Sequence, residues 1–332
     1  IRSMENGLFG LSKILKDNEG NGALKLELST PGEKRLWYIA DAFRRGWSME
    51  EIFVSCKVDR WFLHQIKEII DLEKQIEEIG LSQIDKNFML QLKKKGFADA
   101  RIANLLNIPE EDVRNHRYNL DVHPVFKRVD SCSAEFDSTT NYLYSTYDEE
   151  NESEVSENKK VIVLGSGPNR IGQGIEFDYC CVQAALAFRE EGVETIMINS
   201  NPETVSTDFD VSDKLYFEPI VAEDVFEIIR HENPEGVVVQ FGGQTPLKLT
   251  DEFDSSYRNT ISIYINEKNQ IFVNDAEVDS VDFKSMIKKR IADNPKSIVS
   301  LKSEDKTKMS TIVNINRWLK DVKGLKLSYQ SP

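Results

Sequence analysis

Histidine and cysteine are scarce, with four of each in 332 residues. Cys56, Cys132, Cys180 and Cys181 show no zinc-ligand spacing, and the adjacent pair reads as apolar packing on a helix. No apolar run approaches the roughly 18 residues that a membrane helix needs. No signal peptide is visible, and an opening Ile1 reads as the interior of a longer protein. Positive charge is in deficit: 42 Lys+Arg face 56 Asp+Glu, a net of -14. That balance argues against a nucleic-acid binder, because a phosphate backbone requires a positive face. No Gly-Lys-Ser/Thr follows a glycine-rich stretch, which excludes a P-loop. What remains is a reduced, cytoplasmic chain of two or three domains, 40% hydrophobic and so able to build ordinary cores.

Charge is unevenly spread. Residues 259–332 hold 13 Lys+Arg against 9 Asp+Glu, a net of +4, leaving 29 against 47 for residues 1–258. This shift places a junction near 250–258.

The expected class is α/β overall. An all-α domain spans 31–145, a doubly wound parallel sheet 159–249 and a small two-layer α+β module 259–332. In "PGEKRLWYIADAFRRG" the apolar stripe is Leu36, Ile39, Ala40 and Phe43; in "DRWFLHQIKEIIDLEKQIEEIG" it is Phe62, Ile66, Ile69 and Ile76. Ser48 and Glu51 form a capping box. His64 and Cys56 have no catalytic partner in the pattern and read as structural. "FADARIANLLNIPEEDVRNHRYNL" has a helix-turn-helix rhythm, but its second helix opens Glu110-Glu111-Asp112. Those acids suit a helix N-terminus and repel phosphate, so packing is the preferred reading over DNA binding. Residues 146–158, with six acids from Asp148 to Glu157, read as a solvated linker.

From 159 to 249, "KKVIVLG", "ETIMINSN", "KLYFEP" and "GVVVQFGG" are strands, separated by helices in "EFDYCCVQAALAFREEG" and "AEDVFEIIRHENP". The functional edge of such a sheet lies where its strands end, at 165–174, 199–207 and 240–245. The tail reads as a hairpin turning at Glu267–Asn269, a helix with Phe283, Met286, Ile287 and Ile291 on one face, a strand, a helix and a last strand.

"GSGPNRIGQGIEFDYCC" carries Gly165 and Gly167 where a dinucleotide fingerprint needs them, but its sixth position is Arg170 and the second strand ends without a ribose-binding acid. A tight strand-to-helix turn accounts for the two glycines. It does not account for Asn169, Arg170, Gln173 and Glu176 at the same edge as Asn201, Glu203, Thr204 and Gln244. Arg and amide side chains on a Gly-rich loop suit a small anionic substrate.

That loop, "INSNPETVSTDFDVSDKLYFEP" and "VVVQFGGQTPLKL" resemble the opening of the second half of the carbamoyl-phosphate synthase large chain. "RLWYIADAFRRG", "DRWFLHQI", "LKKKGFADARIA", "HPVFKRVDSCSAEF" and "YLYSTYDEE" resemble the same family's oligomerisation domain, and "IRSMENGLFGL" the tail of its first half, over 1–30. Ser166 stands where glycine is common in the family. The resemblance implies a fragment with the oligomerisation domain and a Rossmann-like pre-ATP-grasp subdomain, without the ATP-grasp and inactive alone. Gly165, Gly167, Asn169, Arg170, Gly172, Gln173, Gly174, Glu176, Asn201, Glu203, Thr204 and Gln244 would face substrate and tunnel, with no catalytic or metal residue in this piece. ATP and Mg2+ (or Mn2+) are implied for the whole family protein, as are a glutaminase small chain and further large chains as partners.

"IFVNDAEVD", "IADNPKSIVSLKSEDKTK" and "INRWLKDVKGLKLSY" resemble the periplasmic domain of ExbD/TolR-type biopolymer-transport proteins, a module able to self-associate. No membrane span precedes it here. The chain therefore reads as chimeric, either an artificial join between Leu249 and Arg258 or a genuine fusion, and a non-catalytic role through the tail is the alternative to the synthase reading.

Overall fold

The structure is a computed structural model that describes residues 7–169 (except 17, 137 and 139), 176–239, 246, 249, 260–266, 268–273, 276–278, 283, 285–287, 289, 298–303, 311, 315 and 326–330. The chain divides into two compact units, 1–127 with 145–152, and 128–144 with 153–332.

The first unit is helical: α1 (Asn21–Ser29), α2 (Arg35–Arg44), α3 (Met49–Cys56), α4 (Arg60–Ile79), α5 (Lys86–Lys94), α6 (Asp99–Leu106) and α7 (Glu110–Asn119). The capping box forms as expected, with Ser48 accepting from the Glu51 amide and Glu51 reaching back to the Ser48 amide. The α2 stripe buries Ile39, Ala40 and Phe43, joined by Trp37, while Leu36 stays exposed. On α4, Ile66 and Ile76 are buried as expected and Ile69 is half-buried, but Leu63 takes the first core position in place of Phe62. Leu63, Ile66, Ile70, Leu72 and Ile76 are buried, and Phe62 points to solvent.

The described residues between 7 and 30 are not a separate tail. Leu11, Leu15, Leu24 and Leu28 share one core with Ile39, Phe43, Ile52, Leu63 and Ile70. A carboxylate fixes that junction: Asp41 Oδ2 accepts the amides of Ile14 and Leu15 at 3.0 and 2.8 Å. Asp41 Oδ1 also holds Arg44 at 2.7 Å, Arg44 reaches Glu73 Oε2 at 2.6 Å, and Glu73 Oε1 takes Arg101 at 2.6 Å. One charge relay thus ties the 11–15 segment to α2, α4 and α6.

The helix-turn-helix segment is committed to packing. Asn107 takes the left-handed conformation that ends α6 (φ 53°), and α7 follows Pro109. Arg117, on α7, is fully buried, with its guanidinium on Asp99 of α6 at 2.8 Å. Lys93 joins Asp99 at 2.9 Å. Burial alone would raise the Asp99 pKa, but Lys93 and Arg117 outweigh it and hold the carboxyl below its usual range.

Strands β1 (Val125–Arg128), β2 (Tyr142–Thr146), β3 (Lys160–Leu164), β4 (Glu194–Ile198), β5 (Lys214–Tyr216) and β6 (Gly236–Val238) form a sheet of order β1-β2-β5-β4-β3-β6; β3 to β6 lie wholly in the second unit, with α8 (Glu176–Glu190) after β3 and α9 (Ala222–Glu232) after β5. The pairs β3/β4, β4/β5 and β3/β6 are parallel, as continuous Val/Ile strands between helices require. Strand β2 pairs in parallel with β5 and residues 128–144 group with the second unit, so the helical domain does not run unbroken to 145. The period-2 segment "YLYST" belongs to the sheet because its backbone groups find partners there.

The acidic stretch 146–158 also departs from expectation. Its carboxylates face water, but Asn151 Oδ1 accepts the Phe126 amide at 2.8 Å, Ser153 Oγ meets the Tyr216 hydroxyl at 2.9 Å, and Ser156 bonds Glu194. The small polar residues between the acids anchor it, which a charge count alone does not register.

Beyond 259, β7 (Thr260–Ile265), β8 (Ile271–Val273), β9 (Ala276–Val278), β10 (Ile298–Ser303) and β11 (Lys326–Gln330) form a second sheet of order β11-β10-β7-β8-β9. The hairpin β7/β8 is antiparallel, and β10 runs parallel to both β7 and β11. Strand β9 adds to the expected order. Phe283 and Ile287 are buried and Met286 is half-buried, while Ile291 and the 250–258 junction lie outside the described residues.

Replacing Asp99 with Ala strands two buried cations and is expected to cost about 3–5 kcal/mol, read from the urea midpoint. Because the folded-state pKa is depressed, Asp99's contribution is complete above the ordinary carboxylate range and is lost as pH falls through the folded value. The gap between parent and variant should therefore be full at neutral pH and narrow in acid. Equal midpoints at neutral pH would show that the trio contributes nothing.

Candidate functional site

The described part of the sheet edge is organised by Asn199, the residue immediately after β4. Its side chain is fully buried. Asn199 Oδ1 accepts the amides of Gly167 at 3.1 Å and Asn201 at 3.3 Å, and Nδ2 donates to Ser206 Oγ at 3.2 Å and Thr204 Oγ1 at 3.4 Å. One amide side chain thereby satisfies the end of β4, the loop after β3 and the turn at Val205–Thr207. Gly165 continues the ladder, its N–H donating to the Ile198 carbonyl at 2.8 Å.

The two leading glycines have separate physical reasons. A Cβ at Gly165 would stand 2.6 Å from the Asn199 side-chain amide, so only glycine lets the strand pass over it. Gly167 sits at φ +70°, a left-handed conformation that other residues rarely adopt. Its amide is turned inward to Asn199. The amides of Gly165 and Gly167 are thus both committed within the fold, to Ile198 and Asn199.

Of the expected residues, Gly165, Gly167, Asn201 and Thr204 come together around Asn199. Asn201 Oδ1 accepts the Glu203 amide at 3.0 Å, and Thr204 Oγ1 donates to the Asn201 carbonyl at 3.2 Å. The Asn169 and Glu203 side chains are exposed. Glu176 opens α8. Arg170, Gly172, Gln173, Gly174 and Gln244 lie outside the described residues.

Sequence reasoning missed Asn199, Ser206 and Asp178 as site residues. Asp178, in the first turn of α8, accepts the Ser206 amide at 3.1 Å and so ties that helix to the turn. A visible signal was the density of Asn, Ser and Thr in "NSNPETVST" directly after a buried strand, where side chains must replace ladder partners. Cys181 lies behind the edge, its thiol pushed up to about 12 by burial, Asp178 and Cys180, with Sγ against the Leu164 carbonyl at 3.5 Å. It is packing, as the sequence implied. Among the described residues no three His, Cys, Asp or Glu side chains converge as metal ligands, and no helix is long and apolar enough to cross a membrane.

Family models decide what this scaffold belongs to. The carbamoyl-phosphate synthetase large chain oligomerisation domain matches residues 1–121, and the carbamoyl phosphate synthase pre-ATP-grasp domain matches residues 157–273. The chain belongs to the carbamoyl-phosphate synthase large-chain family. Curated large chains from Pseudomonas syringae pv. tomato and Pseudomonas aeruginosa are 56% and 57% identical over 258 and 251 residues, covering 77% and 75% of this chain. That of Vibrio vulnificus is 52% identical over 258 residues. The match spans 24% of the Pseudomonas syringae and Vibrio vulnificus chains and 23% of that from Pseudomonas aeruginosa, so this chain corresponds to about a quarter of the length of these relatives. The oligomerisation match takes in 1–30, in agreement with the shared core, and the pre-ATP-grasp match passes the expected 250–258 junction and ends at Val273 in β8.

Substituting Gly165 by Ala is expected to cost about 1–3 kcal/mol through overpacking against Asn199. In an Asn199→Gly background, which removes the obstructing atoms, the same change should cost markedly less. A double-mutant cycle in thermal or urea unfolding reads the coupling. Strict additivity would mean that Asn199 does not set the approach of the loop.

Proposed function

We propose that this chain serves the ATP-dependent synthesis of carbamoyl phosphate from bicarbonate and ammonia, as the oligomerisation and second pre-ATP-grasp portion of a large chain. The observation that carries this reading is the collinear order of the two family matches, oligomerisation domain first and pre-ATP-grasp domain second. In this reading the loop 165–176, with Asn201, Glu203, Thr204 and Gln244, is one wall of a substrate- and tunnel-facing site. Arg170 supplies a guanidinium toward an anionic substrate and Glu176 a carboxylate. Asn199 keeps the strand ends and the turn at fixed separation, so that the wall need not reorganise when substrate arrives. The partners are a glutaminase small chain and further large chains, and the compartment is the cytoplasm.

The family's ATP and Mg2+ (or Mn2+) do not fit the described residues of this edge. Its buried amide and hydroxyls are spent on one another, and no set of carboxylates converges there. Phosphoryl transfer needs a triphosphate cradle and metal-holding carboxylates around the transferring group, so no such step is assigned to these residues.

A transplant tests the reading. Residues 1–249 exchanged into the large chain of Pseudomonas syringae pv. tomato should preserve glutamine-dependent carbamoyl-phosphate synthesis, measured with labelled bicarbonate. The 332-residue chain by itself should give a blank in the same assay. A folded but inactive transplant, or turnover by the chain alone, would overturn the assignment.

A further inference from the structure

The buried relay of the helical unit leaves one donor unused. Arg101 lies on α6 with its side chain only 11% exposed. Its Nε and Nη2 donate to Glu73 Oε1 at 2.9 and 2.6 Å, while Glu73 Oε2 is taken by Arg44. Nη1 meets no acceptor among the described residues and keeps access to solvent. The same side chain lines a cavity of about 190 Å³, whose apolar walls are Leu11, Ile69 and Phe97. Lys95 also lines it and pairs with Glu68 at 2.7 Å. Apolar walls around a guanidinium that the fold only partly uses are the composition of a small-ligand site, in which few polar groups set orientation. The volume equals that of about six waters in the liquid, at roughly 30 Å³ each, which limits a ligand to about six non-hydrogen atoms.

Charge narrows the ligand. The unengaged N–H groups of a guanidinium select an oxyanion, and a carboxylate is a well-matched one. Glu73 already lies against the other edge of this guanidinium, so a second negative charge on the ligand would be repelled at close range in a site with little water. That disfavours phosphate, which in addition has no hydrocarbon to bury against the three apolar walls. A monoanion with a short apolar body meets both conditions.

We propose that this cavity binds a short-chain carboxylate, held by Arg101 Nη1, with its hydrocarbon body against Leu11, Ile69 and Phe97 and with Lys95 as a second cation. The lining comes from residues 10–11, α4, the α5–α6 turn and α6. A bound carboxylate therefore adds contacts across the junction that Asp41 and Glu73 already order. Occupancy stabilises the helical unit, because the ligand binds the folded state alone. The site shares no residue with the edge organised by Asn199, and its test needs no turnover.

Butyrate, with six non-hydrogen atoms, is the probe, titrated calorimetrically into the whole 332-residue chain at fixed ionic strength. The expected Kd is on the order of 1 mM, within reach of so small a ligand. Butyramide, of the same size without the charge, should bind at least about tenfold more weakly, as should inorganic phosphate. Arg101→Lys keeps a cation for Glu73 but removes Nη1, and Ile69→Phe fills the cavity while every ion pair stays in place. Each should abolish the heat of binding with the circular-dichroism spectrum of the parent. Butyrate should also raise the urea midpoint of the parent and leave that of Ile69→Phe unmoved. Equal affinity for butyrate and butyramide would mean that the guanidinium selects nothing. Binding that survives Ile69→Phe puts the ligand elsewhere, and a parent that takes up no butyrate at tens of millimolar has no such site. If Arg101→Lys does not fold, the butyramide comparison and Ile69→Phe decide between these outcomes.

Discussion

Buried charge that must be paired governs how the helical unit closes. Asp41, Glu73 and Asp99 are all almost fully buried carboxylates, each facing one or more guanidinium or ammonium groups. A desolvated ion without a partner costs several kcal/mol, so these contacts are less a source of stability than a constraint on arrangement. Helices α2, α4 and α6 can meet in one register only, that in which Arg44 lies between Asp41 and Glu73 while Glu73 also receives Arg101. The same relay pulls residues 11–15 onto α2 through two backbone amides, which makes the N-terminal segment part of the core.

The α/β unit solves the corresponding problem with neutral groups at one edge and with charge elsewhere. Glu232, fully buried at the end of α9, collects Lys214 at 2.9 Å, Lys160 at 3.5 Å and the Tyr216 hydroxyl. At the edge where β3 and β4 end, Asn199 carries four hydrogen bonds instead. A neutral amide suits this place because it satisfies donors and acceptors together without adding a fixed charge to the strand ends.

Much of this was legible from periodicity. The four strands β3 to β6 and the two helices α8 and α9 fall where Val/Ile runs and amphipathic stripes place them, and the capping box at Ser48 forms. On α4 the expected Ile66 and Ile76 are in the core, and only the first position differs: Phe62 and Leu63 are both apolar, and period alone cannot choose between neighbours. The structure resolves this by giving the core position to Leu63. Strand β2 escaped notice because its partner, β5, lies some 70 residues away in sequence, and long-range pairing leaves no local mark. Asn199 was passed over for a related reason. An asparagine after a strand looks like any turn residue until the loops that converge on it are known.

The tail shows how composition and hydrogen bonding mark boundaries differently. The change in charge falls near 250–258, whereas the pre-ATP-grasp match continues to Val273. Strand β7 lies inside that match, yet it is the centre of the second sheet, bonded to β8 on one side and to β10, more than 30 residues later, on the other. Cutting the chain at 273 would leave β7 with an open edge along Thr260–Ile265, a row of unpaired amides and carbonyls of the kind that folded proteins cover. Strands β7 to β11 therefore stand or fall together, and by its ladder the second sheet begins at Thr260, wherever similarity to the family ends.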